Sequence, residues 1–190
     1  NPDAVEIDPV ELKLSDGTYE TVRMNGVFGA IRDAGPDYWG RRVIEKHAGI
    51  AKLGELDYLL ESPDDRAGAL GFGEKVEPPA PRREFNRTLD LERLQETAEA
   101  LVRDDLPNNP NAPQVQDLLL LGTSMGGARP KAVLQDHGEL WIAQFSRPDE
   151  RWNDERVENQ MLALTRQCGI RHAESRQQRR ARSAVLHVPS

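Results

Sequence analysis

The sequence predicts an α+β fold, and three observations carry that reading. Between residues 36 and 102 apolar residues recur at the three-to-four spacing of helices. Past a break rich in Pro and Asn, Ala132-Val133-Leu134 and Leu140-Trp141-Ile142-Ala143 flank a short loop containing Gly138, the pattern of a β-hairpin. Helical spacing then returns at Val157, and the short apolar run Ala184-Val185-Leu186-His187-Val188 follows it near the C-terminus as a further strand.

Taken in order, residues 1 to 30 read as short extended pieces separated by turns at Pro9 and Asp16-Gly17. Pro36 suits the first turn of a helix bearing Tyr38, Trp39, Val43 and Ile44, and Gly49 suits its end. A shorter helical piece covers Leu53 to Leu60 and stops before Pro63. Pro78, Pro79 and Pro81 make an irregular stretch. From Leu89 to Val102 the residues Leu91, Leu94, Ala98 and Leu101 share one face, with Glu92, Arg93, Glu96 and Glu99 largely on the others, as in a docking helix. Residues 107–114 read as a linker, which separates an N-terminal subdomain, 1–106, from a second part, 115–190. In the second part Asn153 or Asp154 caps a helix running to Cys168, with Val157, Met161, Leu164 and Cys168 along its buried face and Gly169 at its end.

Composition narrows the class. At 190 residues and 37% hydrophobic the chain can build a core. No apolar run approaches the roughly 20 residues that span a bilayer. A lone Cys168 excludes an internal disulfide and suits a reducing cytosol, so a cytoplasmic location is expected. With no initiating Met and no signal-like segment at Asn1, the sequence is expected to begin inside a longer gene product. A net charge of −7 argues against broad adhesion to nucleic acid. Residues 171–182 are the basic exception and read as a solvated loop before the last strand.

Three separated motifs carry a resemblance. Gly122-Thr123-Ser124-Met125-Gly126-Gly127-Ala128-Arg129-Pro130-Lys131-Ala132 is followed by Trp141-Ile142-Ala143-Gln144-Phe145, then by Val157-Glu158, Leu162-Ala163-Leu164 and Cys168-Gly169-Ile170. Upstream stand the segment from Phe28 to Arg42, containing Asp37-Tyr38-Trp39-Gly40-Arg41-Arg42, and Asp64-Asp65-Arg66-Ala67-Gly68-Ala69-Leu70. In this order they resemble the HipA family of bacterial Ser/Thr toxin kinases over most of residues 1 to 170. The resemblance implies a protein-kinase-like small lobe over 115–190, made of a glycine loop, a β-hairpin, a helix and a strand, behind a HipA-like N-terminal subdomain. It implies ATP and Mg2+ as cofactors, an unidentified protein substrate, a HipB-like helix-turn-helix antitoxin as partner, and DNA only indirectly through that antitoxin. The family's large lobe, with its His-x-x-Asp loop and metal-binding Asp, has no counterpart in these residues.

Chemistry is expected around the glycine loop. Glycine lets several backbone N–H groups turn one way and approach a phosphate closely, so Gly122, Thr123, Ser124, Met125, Gly126 and Gly127 are the candidate cradle. By the resemblance, Ser124 stands where the family carries a serine phosphorylated by the enzyme itself; on its own it reads equally as a turn-forming hydroxyl. Lys131 reads either as a phosphate contact or as an exposed residue at the start of a strand. Gln144 occupies the place of the family's lysine, which grips the α and β phosphates and pairs with the helix glutamate, here Glu158. Its amide has length and hydrogen-bonding capacity but no charge, so phosphoryl transfer is expected to fail in this chain. No residue is assigned as catalytic or as a metal ligand, since none of the four histidines has Cys or carboxylate at ligand spacing. Around Asp37, the helix is expected to pack its Trp and expose its Arg side chains. The reading is a truncated or degenerate HipA-like kinase. A non-catalytic module that holds an antitoxin-like or kinase partner is the alternative.

Overall fold

The computed structural model describes residues 5–50, 52–62, 68–75, 86–87, 91–105, 122–123, 127, 129–147, 149–178 and 183–187, with backbone alone for 86–87 and 183–187. Their architecture is mixed α and β, as expected. The linker 107–114, and Ser124, Met125 and Gly126 of the glycine-rich turn, lie outside the described residues.

The N-terminal pieces turn at Pro9 and bend at Asp16-Gly17 as expected. Described residues up to Phe28 contain an isolated bridge between Asp8 and Leu12 and a 3-10 turn at Arg23–Asn25, but no strand. Asp8 Oδ1 accepts from the amides of Val10 and Glu11, a side chain competing with any ladder for backbone donors. A short helix, α1 (Gly29–Asp33), follows, its first amide held by Glu11 Oε2 at 3.0 Å.

Helix α2 (Tyr38–Ala48) matches its sequence signals. Asp37 caps it by accepting from Gly40 N at 2.7 Å, and Gly49, at φ +68°, ends it. Trp39, Val43 and Ile44 are buried on one face. Helix α3 (Glu55–Glu61) packs Tyr58 against this face. The two arginines of α2 are spent internally rather than exposed. Arg41 grips Glu55 with both terminal nitrogens, at 2.8 and 2.6 Å, and lies 4.5 Å over the Tyr58 ring. Arg42 donates to the Leu101 carbonyl at 3.0 Å, satisfying one of the last acceptors of α4 (Leu91–Arg103). A planar fork of donors beside a bare helix end finds partners within the fold before it finds them outside.

Five strands form one sheet in the order β1 (Asn86–Arg87), β2 (Lys131–Asp136), β3 (Glu139–Phe145), β5 (Ser183–His187), β4 (Ser175–Gln178). β2 and β3 are the expected hairpin, registered from Lys131 opposite Gln144 to Asp136 opposite Glu139. His137 and Gly138 both take positive φ, the turn geometry that matches strand twist in a two-residue loop. β1 runs parallel to β2, and β5 enters antiparallel between β3 and β4. The solvated loop expected before the last strand is corrected here, because Ser175–Gln178 pairs with β5 as an edge strand. Arg176 does not reach outward from it. Its guanidinium lies 4.2 Å over the Trp141 ring, an attraction of cation for aromatic face.

Ala132, Leu134, Trp141, Ala143 and Phe145 share one face of the hairpin and are sealed from solvent. They form a single cluster with Trp39, Val43, Ile44, Tyr58 and the α4 stripe Leu91, Leu94, Ala98 and Leu101. Each large apolar side chain so buried contributes about 1.5–3 kcal/mol. Segments on both sides of residues 107–114 therefore supply one core. On the opposite face of β3, Leu140, Ile142 and Gln144 are only half-buried.

Helix α5 (Asp154–Gln167) starts and stops where its signals place it: Asn153 Oδ1 accepts from Arg156 N at 2.8 Å, and Gly169 follows at φ +71°. Its apolar face is a different matter. Val157, Met161 and Leu164, expected to be buried, are 50–55% exposed, and the helix residue that is buried is Glu155.

Candidate functional site

The glycine-rich turn sits where the hairpin meets α2. Its described parts, Gly122, Thr123 and Gly127, are fixed by contacts that the sequence leaves unseen. Thr123 is buried against α2, so close to Gly40 that a Cβ there would lie 2.8 Å from the Thr123 carbonyl oxygen. Only glycine fits at position 40. Gly127 takes φ +95°, and a Cβ on it would lie 2.7 Å from Lys131 Nζ, so backbone conformation and space both demand glycine.

Lys131 is not the exposed strand-start residue of one of its two sequence readings. Its side chain is 5% exposed, donates to the Gly127 carbonyl at 2.7 Å, and pairs with Asp37 Oδ2 at 3.1 Å. Burial draws its pKa below the ordinary lysine value, and the nearby Asp37 charge offsets part of that. The ammonium is thus held at the foot of the turn, against its Gly127 carbonyl.

Glu158 does not meet Gln144. Among the described residues no hydrogen bond joins them; instead Glu158 Oε2 lies 4.0 Å from Arg129 Nη1. Arg129 also pairs with Asp154 Oδ2 at 2.5 Å and reaches Glu150 Oε1 at 3.6 Å. Glu155 stands beside them, one oxygen accepting from Ser146 Oγ at 2.7 Å and the other, like Glu150 Oε2, buried without a hydrogen bond. Burial, with Glu155 adding to it, pushes the Glu150 carboxyl above its ordinary range. One guanidinium between the turn and α5 therefore serves several carboxylates. The cation that Glu158 meets is Arg129, two residues beyond Gly127.

Gln144 itself lies directly across the ladder from Lys131 and from Ala184. Residues facing each other in antiparallel strands project to one side, so Gln144 and Lys131 belong to the same face as Ile142. The structure thus brings Gly122, Thr123, Gly127, Lys131 and Gln144 to one end of the hairpin and sets Glu158 against Arg129. Sequence reasoning missed Asp37, Gly40 and Arg129 as parts of this arrangement. Asp37 stood out only as the first residue of the segment Asp37 to Arg42, and Arg129 only as a letter within the glycine-rich motif.

Two further features bound the chemistry. A cavity of about 390 Å³ lies at the C-terminal ends of α2 and α4, lined by Arg42, Glu45, Lys46, Gly49, Ile50 and Asp104, with Lys46 already paired to Asp104. Among the described residues no group of three or more His, Cys, Asp or Glu side chains is placed to hold a metal ion, and no helix is long and apolar enough to cross a membrane. Set beside protein-family models, curated proteins and solved structures, the chain matches none of them.

Proposed function

We propose that the chain is a degenerate HipA-like protein kinase small lobe with its N-terminal subdomain, a platform for the phosphates of ATP that does not transfer them. The observation that carries this reading is the junction of a glycine-rich turn with a hairpin whose ladder sets the buried Lys131 opposite the half-buried Gln144, followed by a helix and a strand returning beside β3. Of the turn's described residues, Gly122 and Thr123 are buried, and Gly127, exposed at positive φ with the Lys131 ammonium at its foot, is the one a polyphosphate could approach. When bound, ATP would supply a transferable phosphoryl group, and magnesium would arrive with it, since no metal-holding cluster stands among the described residues. Within this chain no step follows. The 190 residues hold no His-x-x-Asp, and position 144 is a neutral amide.

A non-catalytic binding module remains the second reading, and one observation favours it. Trp152, Val157, Met161, Leu164 and Ile170 are all at least half exposed on and around α5. The arginines of α2, engaged within the fold, give it no support. For the first reading the test is incubation of the purified chain with radiolabelled ATP and magnesium, followed by mapping of any label. No label on Ser124, together with weak amide shifts near Gly127 on ATP addition, is the outcome it requires. Labelled Ser124 would show a working kinase and refute it.

A further inference from the structure

Asp37 uses its two carboxylate oxygens for two purposes. Oδ1 accepts from Gly40 N at 2.7 Å and caps α2; Oδ2 accepts from Lys131 Nζ at 3.1 Å, from a residue 94 positions away in the chain. The same ammonium donates to the Gly127 carbonyl at 2.7 Å. On the other limb of the turn, Thr123 is seated against Gly40. Both described limbs of the glycine-rich turn therefore rest on the first turn of α2, one by packing and one through a relay from carboxylate to ammonium to carbonyl.

We propose that Asp37 is a positioning residue of the glycine-rich turn: acting through Lys131, it fixes the Gly127 backbone and makes the N-terminal subdomain part of the phosphate site. The physical reason is that Lys131 is buried. An ammonium with 5% of its side chain exposed needs a counter-charge within reach, and Asp37 is the carboxylate that pairs with it. Without that charge Lys131 is driven to seek solvent, and the Gly127 carbonyl loses its donor. The positioning itself requires no nucleotide. Its consequence for phosphate binding rests on the function proposed above.

Asparagine at position 37 separates the two purposes, because its amide oxygen still caps α2 while the charge is gone. The experiment compares the chain with Asp37→Asn, with Lys131→Met, and with the double variant Asp37→Asn/Lys131→Met, which folds even where a lone buried ammonium destabilises the single one. Each is followed by NMR amide exchange, by the pH titration of the Lys131 Nζ signal, and by titration with inorganic tripolyphosphate. Expected in Asp37→Asn are amide exchange at Thr123 and Gly127 at least tenfold faster, exchange from Val43 to Ala48 unchanged within twofold, and a Lys131 signal that titrates at lower pH. Tripolyphosphate binding weakens at least threefold. The double variant shows the same loosening at Gly127 with restored overall stability. Exchange at Thr123 and Gly127 equal to wild type in both Asp37 variants would reduce Asp37 to a helix cap and overturn the proposal. Tighter tripolyphosphate binding in Asp37→Asn would overturn it as well, by showing that the carboxylate merely repels the ligand. If the turn loosens as stated while wild type, every variant and Gln144→Lys all fail to bind tripolyphosphate or ATP, the positioning role stands and the nucleotide reading falls.

Discussion

Helices α4 and α5 carry the same kind of apolar repeat and come to opposite ends. In α4, Leu91, Leu94, Ala98 and Leu101 are 0–4% exposed and close a dry core against the hairpin; in α5, Val157, Met161 and Leu164 remain 50–55% exposed. What attaches α5 is polar: Arg129 to Asp154 and Glu158, Ser146 to Glu155, and Ser175 to Asn159 at 2.6 Å. The difference teaches that apolar spacing predicts a helix and the face it offers, while the presence of a facing layer decides burial. α4 has α2 and the sheet opposite it. α5 lies against β4 and β5 with the face that carries Glu155, Asn159 and Leu162, and turns Val157, Met161 and Leu164 away.

The sharpest way to break the comparison is truncation on each side. Leu101→Ala removes a fully buried side chain from the α4 face and is expected to cost about 2–5 kcal/mol in urea unfolding. A cost below about 1 kcal/mol would mean that the shared core does not exist as described.

Next in size is the polar attachment of α5. Arg129→Ala leaves Asp154, Glu150 and Glu158 without their common cation, and loss of a charge-assisted bond among partly exposed groups is expected to cost about 1–2 kcal/mol. The same variant should speed amide exchange in the first turns of α5 more than anywhere in α4. Equal acceleration in both helices would deny that α5 is held separately.

A smaller effect depends on pH. The Glu150 carboxyl is pushed above its ordinary range, so the folded state binds its proton more readily than the unfolded state does. Its contribution to stability is therefore fully present below the ordinary glutamate value and lost as pH rises through the folded value. Glu150→Gln, a permanently neutral mimic, should accordingly stabilise the fold near pH 7 by less than about 1 kcal/mol and do nothing near pH 4. Stabilisation that grows toward acid pH would reverse the sign and refute the assignment. Smallest of all is Met161→Gln, expected to change stability by less than about 0.5 kcal/mol because its site faces solvent.

Much of this architecture was legible because local signals agreed with the global fold. Gly49 ends α2, Asn153 and Gly169 bracket α5, and two apolar runs around a loop with Gly138 mark the hairpin. β4 was not legible, since Ser175-Arg176-Gln177-Gln178 shows no apolar alternation and owes its strand form to pairing with β5. Nor was the seat of the glycine-rich turn. The contact of Asp37 with Lys131 joins two motifs that look independent in the chain, and no periodicity links residues 94 positions apart. The partner of Glu158 was not legible for a related reason: a carboxylate answers to a cation within reach, and the sequence could not show that this would be Arg129.

The central claim, that the turn and the half-buried face of β3 form a phosphate site lacking one cation, is tested most directly at position 144. ATP and magnesium are titrated into wild type and Gln144→Lys while the amides of Gly122, Thr123, Gly127 and Lys131 are followed by NMR. The new ammonium, opposite Lys131 on the same face, should tighten binding from the weak, non-saturating shifts of wild type into the millimolar range, about 4 kcal/mol at best, with shifts centred on those amides. No saturable shift in Gln144→Lys, or shifts of equal size in wild type, would contradict the account.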